Sequence, residues 1–132
     1  MSAEEPVVGV WRLVSYVDLD ESGKPTEGPL GPSPTGLLIY QAGGHMSVSM
    51  MRGDHRTAPA GTTHFMGYAG TWRLDAGQVR HAVSVSAHAF QVGTELVRDW
   101  ELEGDLLTLR GTAVLAGRTQ PRVLTWQRVH PA

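Results

Sequence analysis

The chain breaks into short stretches in which apolar and polar residues alternate, each closed off by glycine, proline or aspartate. Nowhere does it carry the long 3.6-residue period of an amphipathic helix. A period of two places neighbouring side chains on opposite faces of an extended strand, so each stretch has one face to bury. Eight stretches read this way: 10–19, 36–40, 45–51, 66–74, 79–87, 94–102, 106–112 and 122–129. Tight-turn sequences join several of them, among them Gln41-Ala42-Gly43-Gly44, Asp75-Ala76-Gly77-Gln78 and Glu103-Gly104-Asp105. No helical crossover separates the strands, which argues against a parallel βαβ sheet and predicts an all-β fold with antiparallel neighbours. A barrel of about eight strands encloses a space that side chains fill or that holds one small ligand. Residues 20–35, with Pro25, Pro29, Pro32 and Pro34, predict a long loop. Residues 52–64 predict an irregular segment, with at most a helical turn near Thr62–Met66.

A chain of 132 residues is expected to form one domain over 1–132, large enough to bury roughly 65–70% of its unfolded surface. Cysteine is absent, which removes disulfides, thiolate metal sites and cysteine nucleophiles together. The formal charge is −2 and no basic stripe is present, so no nucleic-acid partner is expected. No apolar run approaches the roughly 18 residues of a membrane span, and no membrane partner is expected. The segment Met1-Ser2-Ala3-Glu4-Glu5-Pro6 is acidic and lacks the apolar core of a signal peptide, which points to the cytoplasm.

The first strand opens with Gly9-Val10-Trp11, and the last contains Leu124-Thr125-Trp126-Gln127-Arg128. A Gly-x-Trp on the first strand, with an arginine on the last, resembles the signature of calycin barrels. Further segments extend the likeness: Pro29-Leu30-Gly31, Gly36-Leu37-Leu38-Ile39-Tyr40, Gly44-His45-Met46-Ser47-Val48, Tyr68-Ala69-Gly70-Thr71-Trp72 and Val92-Gly93-Thr94-Glu95. Together they are similar to the lipocalin-like domain family of bacteria and fungi over nearly the whole chain. The resemblance implies an eight-stranded, antiparallel, up-and-down β-barrel with a central ligand cavity. In it Trp11 plugs the closed end and Arg128 lies over the indole face, a structural pair. It also implies an apolar small-molecule ligand. Some related barrels act without a cofactor as cyclases or isomerases in natural-product biosynthesis. The 52–64 segment departs from the family, being shorter and richer in glycine and proline than a helical lid.

Three residues are candidates for chemistry: His81, Tyr68 and Arg98. His81 shares a strand face with Val79, Val83 and Val85. Turned inward, its imidazole would be kept neutral by burial and suited to a hydrogen bond or general base, and a core histidine bonded to a neighbour fits the same pattern. Arg98 shares parity with Leu96, Trp100 and Leu102. An inward guanidinium needs a carboxylate partner or an anionic or carbonyl-bearing ligand, whereas the opposite parity leaves it solvated. Tyr68 and Tyr40 offer phenol donors to a bound carbonyl, or simply pack. Met46, Met50, Met66, Trp72, Val83 and Trp100 complete the expected lining, the methionines suiting an irregular ligand. The six histidines show no tight ligand spacing, so no metal is expected, and no cofactor motif is present. Three functions follow: a cofactor-free cyclase or isomerase, a non-catalytic carrier of an apolar ligand, or an interaction module pairing as a homodimer.

Overall fold

The alternating stretches pair into one antiparallel sheet that closes on itself. A computed structural model describes residues 5–130. Its strands are β1 (Gly9–Leu19), β2 (Pro25–Glu27), β3 (Thr35–Tyr40), β4 (His45–Met51), β5 (Phe65–Asp75), β6 (Gln78–Ser86), β7 (Glu95–Glu103), β8 (Leu106–Leu115) and β9 (Arg118–Arg128). From β3 to β9 each strand pairs with the next, β3 also pairs with β1, and β1 pairs with β9 to complete the ring. Eight strands therefore form an up-and-down barrel, and the short β2 lies outside the ring, paired with β1 alone. That strand falls inside the segment expected to be a loop. Residues 52–64 contain turns, and the helical turn expected near Thr62–Met66 is replaced by the start of β5 at Phe65. No helix among the described residues is long and apolar enough to cross a membrane.

Two bulges decide which side chains face inward. On β1, Leu13 pairs with Trp126 and Ser15 with Thr125, so Val14 is an extra residue on its strand. Trp11 and Leu13 are buried before the bulge and Tyr16 after it. On β6, Ala69 faces Val85 while Gly70 faces Val83, which makes Ser84 the extra residue. The expectation that Val85 shares the face of His81 is thereby corrected: Val83 is buried and Val85 is 65% exposed. Gly70 permits the tight approach at this bulge, because a Cβ there would lie 1.8 Å from the Ala82 carbonyl oxygen. Elsewhere strict alternation holds. Met46, Val48 and Met50 point in from β4, with Ser47 and Ser49 on the outer face.

The base of the barrel is packed with buried apolar side chains. Trp11 is fully buried and its indole N–H donates to the Val7 carbonyl at 3.0 Å. Val7 belongs to a 3-10 turn, Glu5–Val7, and is itself buried. The Arg128 guanidinium lies 4.3 Å from the Trp11 ring centroid and donates to the carbonyls of Val8 (3.0 Å) and Pro6 (2.6 Å). One cation thus closes the indole face and satisfies two carbonyls of the N-terminal segment. Arg128→Met should cost about 1–3 kcal/mol, from lost cation–π contact and charge-assisted hydrogen bonds. Trp11→Ala should cost more, about 3–5 kcal/mol. Urea unfolding, with an unchanged dependence on denaturant, checks both.

Candidate functional site

Above this filled base the interior is crossed by a line of three polar side chains. His81 on β6 is buried at 2% exposure. Its Nε2 lies 2.6 Å from the Tyr40 hydroxyl at the end of β3, and its Nδ1 lies 2.6 Å from the Tyr68 hydroxyl on β5. Two strands separate β3 from β6 in the sheet, so the Tyr40–His81 bond spans the inside of the barrel. Tyr40 also packs on Trp72, with ring centroids 4.6 Å apart, and the Trp72 indole donates to the Gln41 carbonyl at 2.9 Å.

Proton accounting fixes the direction of these bonds. Neutral imidazole has one donor nitrogen and one acceptor nitrogen. Tyr40 is fully enclosed, and Nε2 is the acceptor within reach of its hydroxyl among the described residues. An unmade bond at that depth is costly, so Tyr40 donates to Nε2. Nδ1 then carries the proton and donates to the Tyr68 oxygen. The Tyr68 O–H is left to point to whatever occupies the space beside it. Burial pushes the His81 pKa down to about 3, with the positive charge of Arg98 adding to the effect. Burial likewise pushes Tyr68 up to about 12 and Tyr40 well above 10. All three groups are therefore neutral around pH 7.

The space beside Tyr68 is a chamber of about 50 Å3 that adjoins a vestibule of about 400 Å3 and shares part of its lining. Met50, Met66, Tyr68, His81 and Arg98 border the chamber, alongside Leu38, Val48, Leu109 and Trp126. Tyr16, Met66, His88, Gln91, Arg98 and Leu124 border both spaces. Of the expected lining, Tyr40, Met46, Trp72, Val83 and Trp100 border neither, and the Tyr40 phenol is spent on His81 instead of a ligand. Met46 and Val83 are buried elsewhere in the interior, and Trp72 lies against Tyr40 behind the polar line. Trp100 faces a small void shared with Val7, Tyr40 and Leu74. Tyr16 was missed because the bulge at Val14 shifts its parity. Trp126 was legible in the alternation of β9, since Leu124 and Trp126 share a face. His88 and Gln91 flank or belong to a short 3-10 turn, Ala89–Gln91, that no periodicity marks.

The vestibule opens through a seam in the wall. β7 pairs with β8 only from Asp99 to Glu103, opposite Leu106 to Arg110. Beyond that point β8 continues in pairing with β9 as far as Leu115. Leu96 and Arg98 form one lip, and Gly111 to Leu115 the other. Arg98 lies across the apex, where a Cβ on Gly111 would come within 2.7 Å of its Cδ. The guanidinium donates to its neighbour's carbonyl, Val97, at 3.1 Å, and no carboxylate lies within 4.0 Å of it among the described residues. A larger groove of about 730 Å3 lies on the outer face, against Arg12, Val14, Leu37 and Phe65. It has no converging set of buried polar groups, whereas the chamber does, and the chamber is the candidate site.

A closed barrel with a polar line across a partly open lumen defines a small-molecule-binding protein of the lipocalin type. Residues 8–129 match the lipocalin-like domain family, and the chain belongs to it. The comparison with curated proteins returned no match.

His81 also makes stability depend on pH. Unfolded, it protonates near 6.5, whereas in the barrel it resists protonation down to about 3. The unfolded state therefore binds the extra proton in this window. His81's contribution is fully present above pH 6.5 and is lost as pH falls toward 3. One such proton gives a slope of about 1.4 kcal/mol per pH unit. Chemical unfolding between pH 6 and pH 4 should show a shallower slope in His81→Gln than in the parent protein.

Proposed function

We propose that the lumen takes up one small, mainly apolar molecule, places its polar end beside Tyr68 and Arg98, and acts on it as a cofactor-free isomerase or cyclase. The observation that carries this reading is the Tyr40–His81–Tyr68 line, which aims one phenol O–H into a chamber bordered by an uncompensated guanidinium. A substrate carbonyl beside Tyr68 would be polarised by that O–H, and negative charge developing on its oxygen would be stabilised by Arg98. His81 would strengthen Tyr68 as a donor by donating to its oxygen. Full proton transfer along the line would leave a charge on buried Tyr40, which burial strongly disfavours. The three groups would therefore polarise the substrate rather than surrender protons. The chamber's size holds only the end of a molecule, and the vestibule would fold the remainder against Met66, Leu96 and Leu124, so that orientation contributes to rate.

Carbonyl polarisation labilises neighbouring C–H bonds, whose proton would pass to the His88 imidazole bordering both spaces, or to water in the vestibule, and be returned from there, and this supplies the test. The ligand that co-purifies with the protein is extracted, returned to it in D2O and followed by mass spectrometry and chromatography. The expected result is deuterium uptake or a rearranged product, with the rate falling about 100-fold or more in Tyr68→Phe and Arg98→Met. Full rates in Tyr68→Phe, His81→Ala and Arg98→Ala would remove these residues from the chemistry. A ligand recovered unlabelled and unchanged would identify the second reading, a carrier, which the enclosed apolar lumen supports equally.

A further inference from the structure

Counting open hydrogen-bonding valences around the chamber gives a one-sided answer. Tyr68 has its O–H free, because its oxygen already accepts from His81. The Gln91 carbonyl oxygen accepts from the Ser86 hydroxyl at 2.7 Å, which leaves the amide N–H groups of Gln91 open. Trp126 borders the chamber, but its indole nitrogen is buried away from that space and adds no donor to it. Arg98 spends one N–H on Val97 and keeps the rest. His88 and the Tyr16 hydroxyl each offer both a donor and an acceptor. Among the described residues no aspartate or glutamate lines the chamber or the vestibule, while Arg98 and Arg122 both line the vestibule. Arg122 is already matched by Asp18 at 2.9 Å. Arg98 has no carboxylate partner among the described residues. A cluster of donors around one unmatched cation is complementary to an oxyanion and repels an ammonium.

We infer that the molecule this lumen takes is an amphiphilic organic anion, whose oxyanion head (a carboxylate, enolate or sulfonate-like group) sits among Arg98, Tyr68 and Gln91 while its apolar body fills the vestibule. The inference rests on the lumen being the binding site and adds the charge of what binds. It also assigns Gly111 a role. With no Cβ at that position the stem of Arg98 can lie across β8 toward the chamber, so Gly111 positions the cation without touching the ligand.

Two dyes that brighten on burial separate the alternatives: anilinonaphthalene sulfonate, and phenylnaphthylamine, the same skeleton without its charge. Both are titrated into the full chain and into Arg98→Met, Arg98→Lys and Gly111→Ala, each checked for native circular dichroism. The expected result is binding of the anionic dye at least about tenfold tighter than that of the neutral one. That preference should vanish in Arg98→Met, survive in part in Arg98→Lys and weaken in Gly111→Ala. Equal affinities, or tighter binding of the neutral dye, would overturn the anion assignment and leave the lumen as a binding site. A preference untouched by Arg98→Met but abolished by Leu37→Glu, on the outer groove, would overturn the lumen itself as the site, as would failure of both dyes to bind.

Discussion

An imidazole taken out of water must find a partner for each of its nitrogens, and here the partners are phenols from two other strands. Much of the interior follows from that requirement. Tyr40 reaches across from β3 to meet the imidazole Nε2. Trp72 stacks against it and is anchored in turn to the β3–β4 turn through the Gln41 carbonyl. Because the deepest phenol has a single place to send its proton, the polarity of the whole line is fixed, and the outermost phenol becomes a donor toward the lumen. Filled apolar packing lies on one side of this line and open space on the other.

Barrel closure makes the line possible, and closure is secured away from it. Trp11 pairs directly with Arg128 in the β1–β9 register, so the strands that seal the ring also bring the cation over the indole. The bulge at Val14 then turns the rest of β1 so that Tyr16 faces the vestibule instead of the outer surface. The bulge at Ser84 does the same for the far end of β6, sending Val85 outward and letting the chain enter the turn that carries His88 and Gln91. Structural and ligand-facing ends are thus separated along the same strands, with a register irregularity between them on both.

Much of this was legible in the alternation of the chain. The eight strands follow from a period of two read with the turn residues, and the Trp11–Arg128 pair from the resemblance to calycin barrels; for His81 and Arg98 the alternation named a shared face and left open whether that face turns inward. Three kinds of feature were not legible. A bulge adds one residue without altering composition, so Val85 read as inward and Tyr16 went unremarked. Pairing of β2 depends on the loop folding back on β1, which no local pattern in Pro25–Glu27 announces. Depth along the barrel axis is also invisible to periodicity. Met46, Trp72 and Trp100 have the expected inward parity, yet they lie outside the space that side chains leave open, because alternation reports the face of a strand and not its level.

The seam between β7 and β8 carries a consequence for how cargo can change over evolutionary time. Admitting a wider molecule through a continuous wall would require breaking ladder hydrogen bonds, a cost shared by the whole sheet. Here the two lips, 95–98 and 111–115, hold no bonds to one another, and each is tethered on its far side, to β6 and to β9 respectively. Apart from Arg98 and Gly111, which fit one another closely, their side chains are therefore free to be exchanged for larger or smaller ones while the ring, its register and its sealed base persist. Selectivity can drift at the rim independently of foldability.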